Sequence, residues 1–374
     1  MVLTLITACG GSAVPESSSP VKFYVGSSDG RREYSIFLCE INPGTQQLTL
    51  LDSFPGARGS GYLDLSPDGL TLFATSGVSV PGHDRQNSVA SYRVNPDDQS
   101  LEFVNRQSSQ GNGTCHVHSS PDGKYVFAAN YSSGDATALP VDKSGRIEPS
   151  SSVMKGEGSG PISSRQEGPH AHMVMTDPSG KFLLVPDLGT DKVMNYAFDE
   201  ATGTLSPNPN QNFLVMEPGY GPRHLAFHPK KNLVFILGEM SASVTACTFD
   251  PKTGVLSVIN TASIVEEGFD RNRQSAAIRV HPNGKFVYAS NRDDESNLAI
   301  FSIDDQGAIT QKEIVKDIPY WPRDFNISPD GKFLLVAGAR VNEVALYKVD
   351  ATTGGLTKTG SSLKVPAPTC ILFP

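Results

Sequence analysis

Short apolar runs, each about the length of one β-strand, recur along the chain and are separated by polar, turn-forming clusters. The clearest landmark is a turn. Pro67-Asp68-Gly69, Pro121-Asp122-Gly123, Pro178-Ser179-Gly180, Pro229-Lys230-Lys231, Pro282-Asn283-Gly284 and Pro329-Asp330-Gly331 each precede an apolar stretch such as Lys285-Phe286-Val287-Tyr288-Ala289. The intervals between these prolines are 54, 57, 51, 53 and 47 residues. A period in this range, with four short strand patterns per unit, predicts an all-β ring in which each repeat is one blade of a β-propeller.

Six units are complete and a seventh is split. Lys22-Phe23-Tyr24-Val25 begins at the second strand of a unit, and the missing first strand is supplied by Pro368-Thr369-Cys370-Ile371-Leu372-Phe373-Pro374, which repeats the pattern of Pro322 to Pro329. Pairing of the two chain ends removes an open sheet edge, so a seven-bladed ring closed by the C-terminal strand is expected. Residues 21–374 then form one domain, because all-β rings run long as single domains. The 35 glycines and 27 prolines supply its many tight turns.

The net charge of −8 argues against a nucleic-acid surface, which shows a basic stripe. No run of 18 apolar residues is present, so no transmembrane segment is expected. Residues 1–20 read as a signal remnant or flexible tether. Leu5-Ile6-Thr7-Ala8-Cys9-Gly10 has the small residues and cysteine of a lipoprotein signal, but it lacks a basic leader and a long apolar stretch. A cell-envelope protein lipidated at Cys9 and a cytoplasmic one both remain open. Cys39, Cys115, Cys247 and Cys370 are widely spaced and read as small thiols packed in strands, without disulfide or metal roles.

With strands A to D in each blade, the Pro-Asp-Gly turns join A to B on one face, and function belongs to the opposite mouth. Six residues before each proline lie the starts of strand A, at Gly61, Cys115, His172, Arg223, Ala276 and Arg323. Ten residues after it lie the ends of strand B, at Gly77, Tyr131, Leu188, Glu239, Arg292 and Ala339. These columns concentrate His172, Arg223, Glu239, Arg292 and Arg323 in four successive blades. Strict alternation places His224 between blades; His116 and His118 bracket Val117, with a packing role preferred to lining the channel, and His228 and His281, just before the anchor prolines, read as caps of far-face turns.

Gly168-Pro169-His170-Ala171-His172, Pro186-Asp187-Leu188-Gly189-Thr190-Asp191-Lys192, Gly219-Tyr220-Gly221-Pro222-Arg223-His224 and Ala289-Ser290-Asn291-Arg292 resemble the lactonase family of seven-bladed propellers, which includes a bacterial 6-phosphogluconolactonase and a fungal carboxy-cis,cis-muconate cyclase. The resemblance runs from about Lys22 to Pro374. It implies an active-site set of His172, Arg223, Glu239 and Arg292, the same residues the columns select. Ser76-Gly77 and Gly338-Ala339 depart from the family pattern in blades two and seven, and the insertion Val78 to Asn87 adds His83, Asp84 and Arg85 near the rim.

The residue types suit lactone opening. Water attack on an ester carbonyl needs a base, here His172, and donors for the developing oxyanion, here Arg223 and Arg292. Glu239 orients an arginine or acts as acid or base. His170, Asn130, Asp187, Asn291 and Arg323 are candidate substrate contacts. The expected protein is a monomeric lactone hydrolase of the 6-phosphogluconolactonase kind, with a small lactone as partner and no cofactor. A muconate-type cycloisomerase and a non-catalytic binding propeller are the alternatives. A divalent cation on Asn130, Asp187, Glu239 and Asn291 is a rival arrangement, disfavoured by two arginines in the same mouth.

Overall fold

The computed structural model describes residues 19–83, 86–269, 273–292 and 296–374. Cys9 and the rest of 1–18, together with Asp84 and Arg85, lie outside the described residues. The described chain is all β, with seven antiparallel sheets around a common axis. Blade five shows the plan, with Pro222–Phe227 (A), Leu233–Gly238 (B), Ser243–Phe249 (C) and Leu256–Ser263 (D) hydrogen-bonded in chain order. Blade four adds a short strand, Phe213–Val215, against its strand C. In blade one, Pro368–Leu372 pairs antiparallel with Val21–Ser27, Ile371 opposite Val25 and Cys370 opposite Gly26. The ring is closed as the split repeat predicts. Among the described residues no helix is long and apolar enough to cross a membrane.

The core is divided. Seven apolar clusters occur, and each straddles one blade-to-blade interface. This explains why strand B is a continuous apolar run, since both of its faces are covered. Leu233, Phe235 and Leu237 pack against blade six, whereas Val234 and Ile236 pack against blade four. No blade can bury its sheet alone.

The far face is tied by side chains that precede the turn prolines. Ser66, Ser120 and Ser328 hydroxyls each donate to the turn aspartate two residues on. His228 and His281 do more than cap. Nδ1 of His228 accepts the amides of Lys230 and Lys231, while its Nε2 lies 2.9 Å from the Gly284 carbonyl of the next blade. His281 repeats this, with Nδ1 on the Asn283 amide and Nε2 2.9 Å from the Gly331 carbonyl. Gly284 has φ +78°, and a Cβ there would fall 2.7 Å from the His228 ring, so the turn needs glycine for conformation and for space.

Ring closure predicts the outcome of truncation. Removing Pro368 to Pro374 strips Ile371 and Cys370 from the two interfaces they join and uncovers the edge of Val21–Ser27. A lowered melting temperature and association on a sizing column are expected. Ile371→Ala alone, at a fully buried site, should cost about 2–5 kcal/mol in urea unfolding. Unchanged melting of a monomeric truncated protein would refute closure.

Candidate active site

At the mouth, strand A slips against strand B. In blade five Pro222 pairs with Gly238 and His224 with Leu237, leaving Arg223 as an extra residue. The same slip isolates Cys115 in blade three and Arg323 in blade seven. Such a bulge breaks the alternation and lets consecutive side chains lean to one side. Arg223 Nη1 accordingly lies 3.2 Å from His224 Nε2. His224 therefore does not pack between blades, as strict alternation suggests. Its ring meets those of Tyr62, His116 and His172, from blades two, three and four, at the centre of the ring. His116 is part of the same central plug rather than of an interface, and His118 bridges Asp64 and Thr176 at 3.0 and 3.1 Å.

Beside the plug a cavity of about 400 Å³ opens to the mouth, and His172, Glu239, Arg292 and Arg323 line it. Among the described residues Glu239 is its only acidic wall residue, and it is surrounded by cations. Its Oε2 lies 2.8 Å from Arg223 Nε and 3.0 Å from Arg292 Nη2, and its Oε1 lies 2.7 Å from Arg165 Nη2. Burial would raise the Glu239 carboxyl, but the Arg292 and Arg223 guanidinium groups outweigh it and hold the group well below the usual carboxylate range. Arg292 also donates through Nε to the Gln274 carbonyl and through Nη2 to that of Ser275. Arg223, only 2 % exposed, lies beneath the cavity and donates to the Ala276 carbonyl. Burial and the neighbouring Arg323 lower its pKa to about 10, which leaves it charged at neutral pH.

His172 is 5 % exposed, with Nδ1 3.9 Å from the Cys115 thiol and the Tyr131 ring edge-on at 5.3 Å. Burial, reinforced by Arg223, holds its pKa well below the ordinary imidazole value, so the ring is neutral at physiological pH. Cys115 lines the cavity, but burial pushes its thiol up to about 12, far from a thiolate nucleophile.

The other expected contacts are set back from the cavity. His170 stacks on Tyr131 at 4.4 Å and has Nδ1 2.9 Å from the Tyr131 carbonyl. Asn130 bonds Ser109, Asp135 and Thr114 inside blade three. Asp187 accepts the amides of His170 and Gly189, and Asn291 accepts that of Gln274. The reason is alternation at the end of strand B. With Tyr131 and Arg292 turned to the mouth, the residues before them turn into the sheet. Among the described residues, no group of three or more His, Cys, Asp or Glu is placed to hold a metal ion.

Arg165 is the residue that strand-end columns miss. It comes from the connection between strand D of blade three, ending at Lys155, and blade four. Gln166 pins this loop, donating to the Leu188 carbonyl and to Asp191 at 2.9 and 2.8 Å. The signal available in sequence is the length of this connection relative to the others at the mouth.

The sequence matches the family described as "Lactonase, 7-bladed beta-propeller" across residues 22–373. It is 34% identical to the 6-phosphogluconolactonase of Bacillus subtilis over 79% of this chain and 83% of the relative. A second 6-phosphogluconolactonase, from Formosa agariphila, is 28% identical over 91% and 96%. Among solved structures, the periplasmic gluconolactonase of Pseudomonas aeruginosa superposes with a TM-score of 0.88 at 27% identity, covering 95% of this chain and 99% of that one. The full-length match, the seven blades and the shared ring together establish that this chain belongs to the seven-bladed β-propeller lactonase family.

Proposed function

We propose that this lactonase hydrolyses a sugar-acid lactone that carries an anionic group, 6-phospho-D-glucono-1,5-lactone being the concrete candidate. The observation that carries the anionic part is the charge imbalance at the mouth. Arg165, Arg223 and Arg292 converge on one carboxylate, Glu239, and Arg323 lines the same cavity with no acidic partner among the described residues. A phosphate or carboxylate on the substrate supplies the missing negative charge, and guanidinium forks suit its geometry. The names of the relatives, one set acting on a phosphorylated lactone and one on gluconolactone, agree with this substrate class.

In the mechanism supported here, neutral His172 takes a proton from water as the water oxygen bonds the lactone carbonyl carbon. Arg292 and Arg323, on the cavity wall, receive the oxyanion. The carbonyl re-forms as the ring C–O bond breaks, and the leaving alkoxide takes the proton back from His172. The product acid then ionises, releasing one proton per turnover. Glu239 holds Arg165 and Arg292 in place, and Arg223, beneath the cavity, acts through Glu239.

Proton release during lactone addition tests the reaction directly. His172→Ala should lower kcat by about 10²–10⁴-fold, while His228→Ala on the far face should leave it unchanged. Because its pKa is depressed, His172 keeps its basic form in mild acid, so the acid limb of kcat/KM should lie below pH 6.5. Label from ¹⁸O-water in the product distinguishes hydrolysis from cycloisomerisation. No acceleration of any lactone, phosphorylated or plain, would overturn the proposal.

Glu239→Gln tests the clamp. Leaving buried guanidiniums unpaired should cost about 3–5 kcal/mol at neutral pH. The folded-state pKa of Glu239 is depressed, so its stabilisation is complete above the unfolded carboxyl pKa and fades as pH falls below it. The stability gap between wild type and variant should therefore be full at pH 7 and narrow below about pH 4, as read by urea unfolding at a series of pH values.

A further inference from the structure

The mouth is lopsided. Where blades three to six place Tyr131, His172, Glu239 and Arg292 at their strand ends, blades two and seven carry Gly61, Gly77 and Ala339. On this side, with Gly61 in its wall, lies a second cavity of about 350 Å³, which meets the first along Cys115 and Arg323. Either cavity alone is within the ~300–1,000 Å³ range of small-molecule sites. A single hexonolactone leaves one of them empty.

The walls of the second cavity state what it accepts. Thr75, Thr114 and Thr369 present hydroxyls whose protons are spent on the protein. Thr114 donates to Asn130 at 2.6 Å and accepts from Ser109 at 2.8 Å, Thr75 donates to the Tyr62 carbonyl at 3.4 Å and accepts the Tyr62 amide at 3.0 Å, and Thr369 donates to the Gly61 carbonyl at 3.0 Å, which leaves one acceptor position on each of the first two oxygens and both on the third. Their remaining lone pairs accept from a ligand. Among the described residues no carboxylate lines the space, and the one cation on its wall, Arg323, sits on the seam with the first cavity. Trp321 adds an indole at φ +61°, a conformation that costs a bulky residue about 1–3 kcal/mol and that clusters at ligand sites. The Arg340 guanidinium packs over that ring at 3.3 Å. Hydroxyl acceptors beside an aromatic surface match a neutral polyhydroxylated ring rather than an anion or a hydrocarbon.

We infer that this cavity is a subsite for a second sugar unit, so that a lactone whose sugar acid bears a further sugar is preferred over the same lactone without it. The inference rests on the hydrolase reading above for its reaction, but the subsite is testable without turnover. Gly61 offers the means. Its φ lies outside the left-handed region, and a Cβ there would point among subsite residues with nothing nearer than Thr369 Oγ1 at 3.7 Å. Gly61→Phe should therefore fill the second cavity without backbone strain, and Thr369→Val removes one acceptor with less change in volume.

Wild type and both variants are assayed by proton release on glucono-1,5-lactone and cellobiono-1,5-lactone. Trp321, the single tryptophan of the chain, reports binding of gluconate and cellobionate by fluorescence. Wild-type kcat/KM for the disaccharide lactone should exceed that for gluconolactone by at least about tenfold, equivalent to about 1.4 kcal/mol. Gly61→Phe should abolish that preference and change gluconolactone hydrolysis less than about twofold, and Thr369→Val should reduce the preference. Trp321 emission should respond to cellobionate in wild type and not in Gly61→Phe. Equal wild-type kcat/KM for the two lactones, or equal losses on both in the variants, overturns the subsite. If neither of these lactones nor 6-phospho-D-glucono-1,5-lactone is hydrolysed, the hydrolase reading fails, and absence of a Trp321 response to cellobionate independently overturns the subsite.

Discussion

One buried carboxylate surrounded by guanidinium groups sets the character of this protein. Arg165, Arg223 and Arg292 all contact Glu239, and like charges this close are kept together only because the carboxylate and the carbonyls of residues 274–276 receive them. The arrangement is expensive in an apolar surround, so each partner must be held by rigid backbone. Arg165 comes from a pinned loop, Arg223 and Glu239 from blade five, and Arg292 from blade six. Relative motion of these blades would expose or unpair charge, and the closed ring prevents it.

The same backbone device aims several of these groups. A one-residue bulge near the start of strand A singles out Cys115, Arg223 and Arg323 in three blades, always at the mouth. A regular ladder would direct successive side chains alternately toward the two neighbouring blades. The bulge turns an interface position into one that faces the axis, which is how a repeat built for packing also carries chemistry. The depressed pKa of His172 follows from the company the bulges assemble, since burial and Arg223 both disfavour the imidazolium.

Much of this is legible in the residues themselves. The proline-anchored period places every blade, the split seventh unit states how the ring closes, and counting from the anchors reaches His172, Glu239, Arg292 and Arg323 on one cavity. Counting fails where local geometry departs from the repeat. His224 turns to the axis because a bulge is invisible in an apolar pattern, and Asn130, Asp187 and Asn291 turn inward because hydrogen bonds within their own blades claim them. Arg165 escapes because it belongs to a connection rather than a strand, and a connection has no period from which to read it.

The histidines of the far face carry a consequence for dynamics. The His228 and His281 rings each hold their own turn through Nδ1 and a carbonyl of the following blade through Nε2. Blades five, six and seven are thus laced together on the side away from the mouth, so an opening fluctuation of one must also loosen the turn of the next. Amide hydrogens there should exchange as a block rather than blade by blade. The collectively laced end of the molecule therefore lies opposite the cavity, away from the side on which a ligand must come and go.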